Sequence, residues 1–347
     1  MKNRREFLTQ LGVAGSAVAL LPSTGCARKK KPTDKVGGQR QPGTATPTLT
    51  KKGRAKVVLV TSPRAVGPGN KPDRKVVRAM LEKGLTTLAG TSDASAALKQ
   101  WVSPRDIVGL KVNCLGGRHM STRVELTEQL VVLLAEAGLP RNRAVVFDRS
   151  DFDLRNGGYP VRSSGDDYLC QGNNTTGYEK NLEVMPNGAS RFCNLATRRT
   201  TVLINMPVLK DHGLAGVTGA MKNNYGLVHN PNKFHLNGCD PHVAEINARP
   251  FLRKKQKLIV CDALRVQVEG GPAYHPAHAV TYGGVMLATD PVALDMMAWG
   301  LLEQLRKKQK LPSLPDAKRK PKYLFTAANQ GLGVGDLKRI DLVEVKV

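Results

Sequence analysis

Aromatic residues make up only 5% of the 347-residue chain, and tryptophan occurs twice. Platforms for single-stranded nucleic acid need aromatic faces interleaved with basic groups. The scarcity therefore argues against nucleic acid as a partner, and no helix-turn-helix, zinc-finger or RNA-binding signature offers another route. No Cys-x-x-Cys occurs, which argues against a ferredoxin-type iron–sulfur cluster or a four-cysteine zinc site within this chain. No apolar run approaches the ~20 residues that span a bilayer. A Walker-type loop is lacking, and so is a Gly-x-Gly-x-x-Gly turn placed after a strand. Acidic residues are also few: 28 Asp/Glu stand against 53 Lys/Arg, a net charge of +25.

What is present begins with an address. Arg4 and Arg5 directly precede Glu6-Phe7-Leu8, and residues 11–21 form a short apolar run rich in Gly and Ala. A positive n-region followed by a short h-region is the pattern of an export signal. Paired arginines before x-Phe-Leu resemble the motif read by the twin-arginine export machinery. Residues 1–27 are therefore expected to be a signal peptide, and the protein is expected in the periplasm or cell envelope. Ser23-Thr24-Gly25-Cys26 resembles a lipobox, with Ser where Leu is usual. Lipidation of Cys26 would tether the protein to the membrane surface; ordinary cleavage after Ala27 is the alternative. Residues 28–54 are rich in Lys, Pro, Gly, Thr and Gln, lack hydrophobic periodicity, and read as a disordered basic linker.

Residues 55–347 read as an α/β domain: a largely parallel or mixed sheet flanked by helices, with a long irregular insertion. Buried strands are predicted at 56–60, 106–112, 144–148, 201–205, 258–262, 285–288 and 341–347. Helices are predicted at 72–88, from Ser121 or Thr122 to 137, and from Asp290-Pro291 to about 305. Strands alternating with helices imply this class. Thr122 with Glu125 reads as a capping box, and Asp290 before Pro291 as an N-cap. Residues 150–200, rich in Gly, Asn, Asp and Ser, read as an irregular insertion or lid. Without Cys26, five cysteines remain. Cys170 and Cys193 share the polar stretch and are the expected disulfide in an oxidising compartment. Cys261 reads as a buried small hydrophobe.

Polar residues cluster just after the predicted strands, where open α/β sheets bind ligands. Lys111-x-Asn113 closes one strand, Asp148 another, and Asp262 a third. Asn205-x-Pro207-x-x-Lys210-Asp211-His212 follows a fourth. Gly116-Gly117 and Gly213-x-x-Gly216-x-x-Gly219 allow close backbone approach, and Lys222-Asn223-Asn224 comes directly after. Lysines, asparagines and glycine-rich turns suit an anionic ligand. Six of the seven histidines lie between His212 and His278, so His235, His242, His275 and His278 are candidate metal ligands.

Several of these segments resemble the family called domain of unknown function 362. They are Val108-Gly-Leu-Lys-Val-Asn113, the stretch from Leu203 through Asn205-Met-Pro207 and Lys210-Asp-His212 to Lys222-Asn223, Thr289-Asp-Pro-Val-Ala-Leu-Asp295, and the Gly331-Leu-Gly-Val334 region. The resemblance spans most of residues 55–347. Members often look like exported proteins, and some carry ferredoxin-like iron–sulfur modules; this chain has no such cysteine run, so that role is not inherited. The resemblance implies that Lys111, Asn113, Lys210, His212, Lys222, Asn223 and Asp295 form one site, without implying a settled activity or cofactor.

The leading reading is an exported enzyme or cofactor-binding protein with a cleft for a small anionic ligand. In it Lys111, Lys210 and Lys222 neutralise charge, Asn113, Asn223 and Asp262 orient the ligand, and His212 and Asp295 are catalytic. His212 is the proton-transfer candidate because an ordinary imidazole titrates near pH 6.5. Two alternatives stand beside it. One is a non-enzymatic, envelope-tethered protein that binds through basic runs such as Arg253 to Lys257. The other is a metal-dependent enzyme built on the His-rich region.

Overall fold

A computed structural model describes residues 53–347; the twin-arginine signal, the Cys26 lipobox and nearly all of the basic linker lie outside the described residues. The chain's β-branched and leucine runs form a sheet that is buried on both faces. Ala-Lys-Val-Val-Leu-Val-Thr becomes β1 (Ala55–Thr61), and Ala-Val-Val-Phe-Asp becomes β3 (Ala144–Asp148), every residue of which is buried. Near-continuous apolar runs of this kind mark strands covered on both sides.

The main sheet has ten strands in the order β12-β1-β11-β10-β7-β2-β3-β4, with β8 and β9 branching from β10. Besides β1 and β3, these are β2 (Val108–Lys111), β4 (Leu169–Gly172), β7 (Val202–Asn205), β8 (Val208–His212), β9 (Gly216–Thr218), β10 (Gln256–Gln267), β11 (Ala279–Ala288) and β12 (Ile340–Lys346). From β10 through β7, β2 and β3 to β4 every pairing is parallel. β11 runs antiparallel to both β10 and β1, and β1 is parallel to β12. The sheet is therefore mixed and the class is α/β, as expected.

One face is covered by α1 (Arg74–Ala89) and α2 (Val124–Glu136), whose apolar sides join Val58, Leu110 and Val146 in one core. A second core lies on the other face, where α4 (Pro291–Lys308) packs with the segments around α3 (Ala220–Asn223). Asp73 caps α1 by accepting from Lys75 and Val76. Asp290 caps α4 by accepting from Ala293, as its sequence position predicts.

Other expectations are revised. Thr122 is not the cap of α2: Arg123 occupies that position without a side-chain cap. The Thr122 hydroxyl instead receives the Asn113 N–H and donates to the Met206 carbonyl, joining two strand ends. Residues 150–200, read as an irregular insertion or lid, carry short elements. They hold β4, a small hairpin of β5 (Glu183–Met185) and β6 (Gly188–Ser190), and short helical turns. Cys170 and Cys193 are free and buried, as are Cys114, Cys239 and Cys261. Cys170 faces the α1/α2 core and Cys193 the α4 core, so the sheet separates the two thiols that sequence proximity had paired. The basic run from Arg253 to Lys257 also bonds to the fold. Lys255 donates to the carbonyls of Ala196, Thr197 and Thr200, and Arg306 is fully buried and paired with Glu269 at 2.7 Å.

Asp290 has a second duty, receiving the Val334 N–H at 2.8 Å. This ties the Gly331–Gly335 connection to the start of α4. Asp290→Ala strands two buried N–H groups and should lower the unfolding free energy by about 2 kcal/mol, while Asp290→Asn retains an acceptor and loses less. Chemical denaturation of the two variants reads the difference.

Candidate functional site

The parallel strands β2, β3 and β7 deliver their carboxyl ends to one edge of the sheet, as the ligand-binding rule for open α/β sheets expects. β2 ends in Lys111, β3 in Asp148 and β7 in Asn205. β8 adds Lys210 and His212, and the turn after β9 leads into α3 with Lys222 and Asn223. A cleft of ≈ 440 Å³ opens there, lined by Lys111, Asn113, Lys210, His212, Lys222 and Asn223, with Thr218, Tyr225 and His235 beside them. Six residues expected in the site are thus brought together from three separate stretches of chain.

Asparagines fix the frame. Asn223 donates to the Lys111 carbonyl and to Asn205 Oδ1, at 3.1 and 2.8 Å. Its Oδ1 receives Asn113 Nδ2 at 3.1 Å and Lys111 Nζ at 3.3 Å. Asn205 Nδ2 donates to the Ala220 carbonyl, and Asn224 and Asn247 continue the network behind it. Amides suit this task because each carries donors and acceptors at once.

Lys111 is neutralised locally. Its Nζ lies 2.7 Å from Asp148 Oδ1, with both side chains almost wholly buried, and it also donates to the Val112 carbonyl. Gly226 closes over the pair: a Cβ there would lie 2.8 Å from Lys111 Nζ and 3.1 Å from Asp148 Oδ1. Lys210 and Lys222 are different. Lys210 is fully buried and reaches only Asn113 Oδ1 at 3.2 Å and the Met120 carbonyl at 3.5 Å. Lys222 meets His235 Nε2 at 3.3 Å and the face of Tyr225 at 3.7 Å. Burial lowers both amines to about 8, because desolvation disfavours the charged form.

The histidines adopt opposite tautomers. His212 Nδ1 accepts the N–H groups of Leu214 and Ala215, both at 3.2 Å, so its proton sits on Nε2. His235 Nδ1 faces the carbonyls of Pro231 and Asn232, so its proton sits there and Nε2 offers a lone pair. The rings stack 5.6 Å apart at 21°. Burial, reinforced by Lys222, holds the His212 imidazole far below its ordinary value. Burial thus favours a neutral His212 with its proton on Nε2, where the sequence suggests an imidazole poised near pH 6.5.

Two expected site residues stand outside the cleft lining. Asp295 is fully buried beneath it and receives the N–H groups of Ala220 and Met221 at 2.6 and 2.9 Å. It anchors the start of α3 and so positions Lys222 and Asn223, without facing a ligand. Gly219 is required there, since a Cβ would lie 2.2 Å from Asp295 Oδ1. Asp262 receives the Arg123 and Leu264 N–H groups and ties β10 to α2. Burial raises Asp295 to about 7 and Asp262 to about 6.

The candidate metal ligands do not converge. His235 lines the cleft, His242 approaches Glu245 at 3.7 Å, and His275 and His278 stack on each other. Among the described residues no group of three or more His, Cys, Asp or Glu side chains could hold a metal ion. Sequence reasoning missed Thr218, whose buried hydroxyl has no hydrogen-bond partner, and Tyr225 beneath Lys222. Neither carries a charge or a motif that marks it.

Fold and cleft together define an α/β protein with buried amines at its strand ends. The chain belongs to the family of the domain of unknown function DUF362, whose profile matches residues 108–300, more than half of its length. Among solved structures it is similar to the lactate racemase apoprotein from Thermoanaerobacterium thermosaccharolyticum, at 11% identity and a TM-score of 0.39 over 65% of this chain and 53% of that one. It is also similar to a Thermotoga maritima protein solved in a structural genomics programme, at 8% identity and a TM-score of 0.39 over 69% of this chain and 60% of that one. The chain thus spans less than two thirds of either structure. No curated protein matches.

The lowered amines carry a pH signature. Between pH ~8 and ~10.5 the unfolded chain binds more protons at Lys222 than the folded one, so the native protein gains stability as pH rises through this window. Lys222→Met removes that term. At pH 7 the variant should be more stable than the parent by on the order of 2 kcal/mol, with the advantage shrinking above pH 8. Urea titrations at several pH values measure it.

Proposed function

We propose that this chain is an exported protein that binds a small anionic ligand in the cleft, as an enzyme or a cofactor-binding protein. One observation carries the reading: Lys210 and Lys222 are buried side chains of one cleft, and neither is paired with a carboxylate among the described residues. Buried charges are ordinarily paired, so this arrangement anticipates negative charge from outside the protein. The orphaned Thr218 hydroxyl supports it by offering a further donor to the same space. The ligand's charge would move the amines back up toward their ordinary value, coupling affinity to their titration. His212 Nε2–H, held by its tautomer, would serve oxygen atoms of the ligand rather than shuttle protons.

Calorimetric titration with phosphate and with oxalate tests the reading. Binding should weaken about tenfold or more in Lys210→Met, the loss of one charge-assisted hydrogen bond, and should decline as pH rises past about 8. Affinity that ignores Lys210→Met and pH removes the proposal.

Export is proposed on the Arg4-Arg5 and h-region pattern alone. With Arg4 and Arg5 both replaced by Lys, precursor should accumulate in the cytoplasm of a bacterial host that has the twin-arginine machinery. Replacement of Cys26 by Ser should release envelope-bound protein into the soluble fraction if the lipobox operates. Cell fractionation reads both.

A further inference from the structure

We propose that Lys222 is a nucleophilic amine that forms an imine with the carbonyl of an anionic carbonyl compound, so that the ligand class is that of small oxo acids. This deepens the anion-binding reading and rests on it.

The three cleft lysines differ in what their amines touch. Lys111 has three oxygen acceptors, including the Asp148 carboxylate, which lock it as a cation. Lys210 has two, Asn113 Oδ1 and the Met120 carbonyl, both of which favour a proton-bearing amine. Among the described residues Lys222 has no oxygen partner, and its one hydrogen-bonding neighbour there is His235 Nε2; the Tyr225 ring lies against it. An imidazole lone pair tolerates either charge state of the amine and can accept the proton that a nucleophile must lose. Burial drops Lys222 to about 8, which agrees with this placement. Burial, and then Lys222 itself, holds His235 below its ordinary value and so keeps its lone pair free.

The stacked histidines supply complementary groups. His235 presents a lone pair to the amine, and His212 presents an N–H with no protein partner among the described residues. Lys222 passes one proton to His235 Nε2, and its nitrogen lone pair adds to the carbonyl carbon. The C=O π pair moves to oxygen, where His212 Nε2–H stabilises the alkoxide. The alkoxide takes the proton back from His235, giving the carbinolamine. Loss of the carbinolamine hydroxyl together with one of the two N–H protons still on the nitrogen releases one water and leaves the protonated imine, with the positive charge of the original ammonium retained on C=N–H. No atom changes its overall redox state, and no further reactant is needed. Lys210 stays charged and holds the substrate's anionic end, and the Thr218 hydroxyl donates to that end.

The test traps the imine on the full chain with pyruvate and sodium cyanoborohydride, read by intact mass and peptide mapping. One adduct at Lys222 is expected, and with propionaldehyde, which needs no anion site, its rate should level off above pH ~8 instead of climbing toward the ordinary lysine value near 10.5. Lys222→Arg keeps the charge and removes the nucleophile, so it should lose the adduct. Lys210→Met should slow labelling by pyruvate about tenfold while labelling by propionaldehyde, which has no anionic group, stays nearly unchanged. An adduct scattered over surface lysines and undiminished in Lys222→Arg overturns the proposal, as does one confined to Lys210. The two readings fail separately. Oxalate and phosphate that bind while Lys222 stays unlabelled sink the imine alone. Labelling of Lys222 with no anion affinity, and with equal rates for pyruvate and propionaldehyde, sinks the anion reading and keeps the nucleophile.

Discussion

Placing an ammonium group in a protein interior without a carboxylate beside it is unfavourable, and this chain does so twice within one cleft. Lys210 and Lys222 lie at the carboxyl edge of the parallel half of the sheet, where strand ends and following turns converge. A fold accepts such a term only when the rest of the molecule holds the groups in place. Two cores, one on each face of the sheet, supply that support. The local hydrogen-bond frame decides where the amines stand. Stability and binding then oppose each other at the same two side chains, as expected where function rests on a destabilised site.

The frame is built mainly from uncharged amides, and the reason is electrostatic. Carboxylates near Lys210 or Lys222 would satisfy the amines and close the site to external anions. Asn113, Asn205, Asn223, Asn224 and Asn247 orient backbone and side chains without adding charge. The carboxylates that do lie close are spent elsewhere. Asp148 is consumed by Lys111 and the Cys114 N–H, and Asp295 by the first two amides of α3. Asp211, beside Lys210 in sequence, points away to Arg319 and the Gly271 N–H.

Much of the scaffold is legible in the sequence because its strands are short buried runs. The predicted strand at 144–148 matches β3 throughout, and the expected start of α4 at Asp290-Pro291 holds because capping chemistry is local. Polar residues after apolar runs likewise pointed to Lys111, Asn113, Lys210, Lys222 and Asn223, since strand ends are where such residues face a cleft. Other features depended on tertiary placement. Cys170 and Cys193 looked paired by proximity, yet the sheet runs between them. β4 was hidden because Leu-Cys-Gln-Gly carries no alternation and, as the edge strand of the sheet, pairs with β3 alone among the named strands. Asp295 looked chemical because it had no capping role in its own helix; it caps a different one, across the core. His212 looked titratable because an imidazole's ordinary value says nothing of burial, and the two backbone N–H groups that fix its tautomer belong to a turn that sequence does not reveal.

The contrast among the three lysines shows why residue type alone underdetermines a site. Each sits near a strand end, each lines the same cleft, and each is almost wholly buried. Their chemistry diverges through the atom opposite the amine: a carboxylate oxygen for Lys111, an amide oxygen for Lys210, and an imidazole nitrogen for Lys222. Along that series the acceptor becomes progressively less demanding of a positive charge. In the reading proposed above, the amine moves with it, from a structural cation, through a cation held for an anionic ligand, to a group free to give up its proton. One side-chain chemistry, repeated three times, is thereby divided among three tasks by its neighbours.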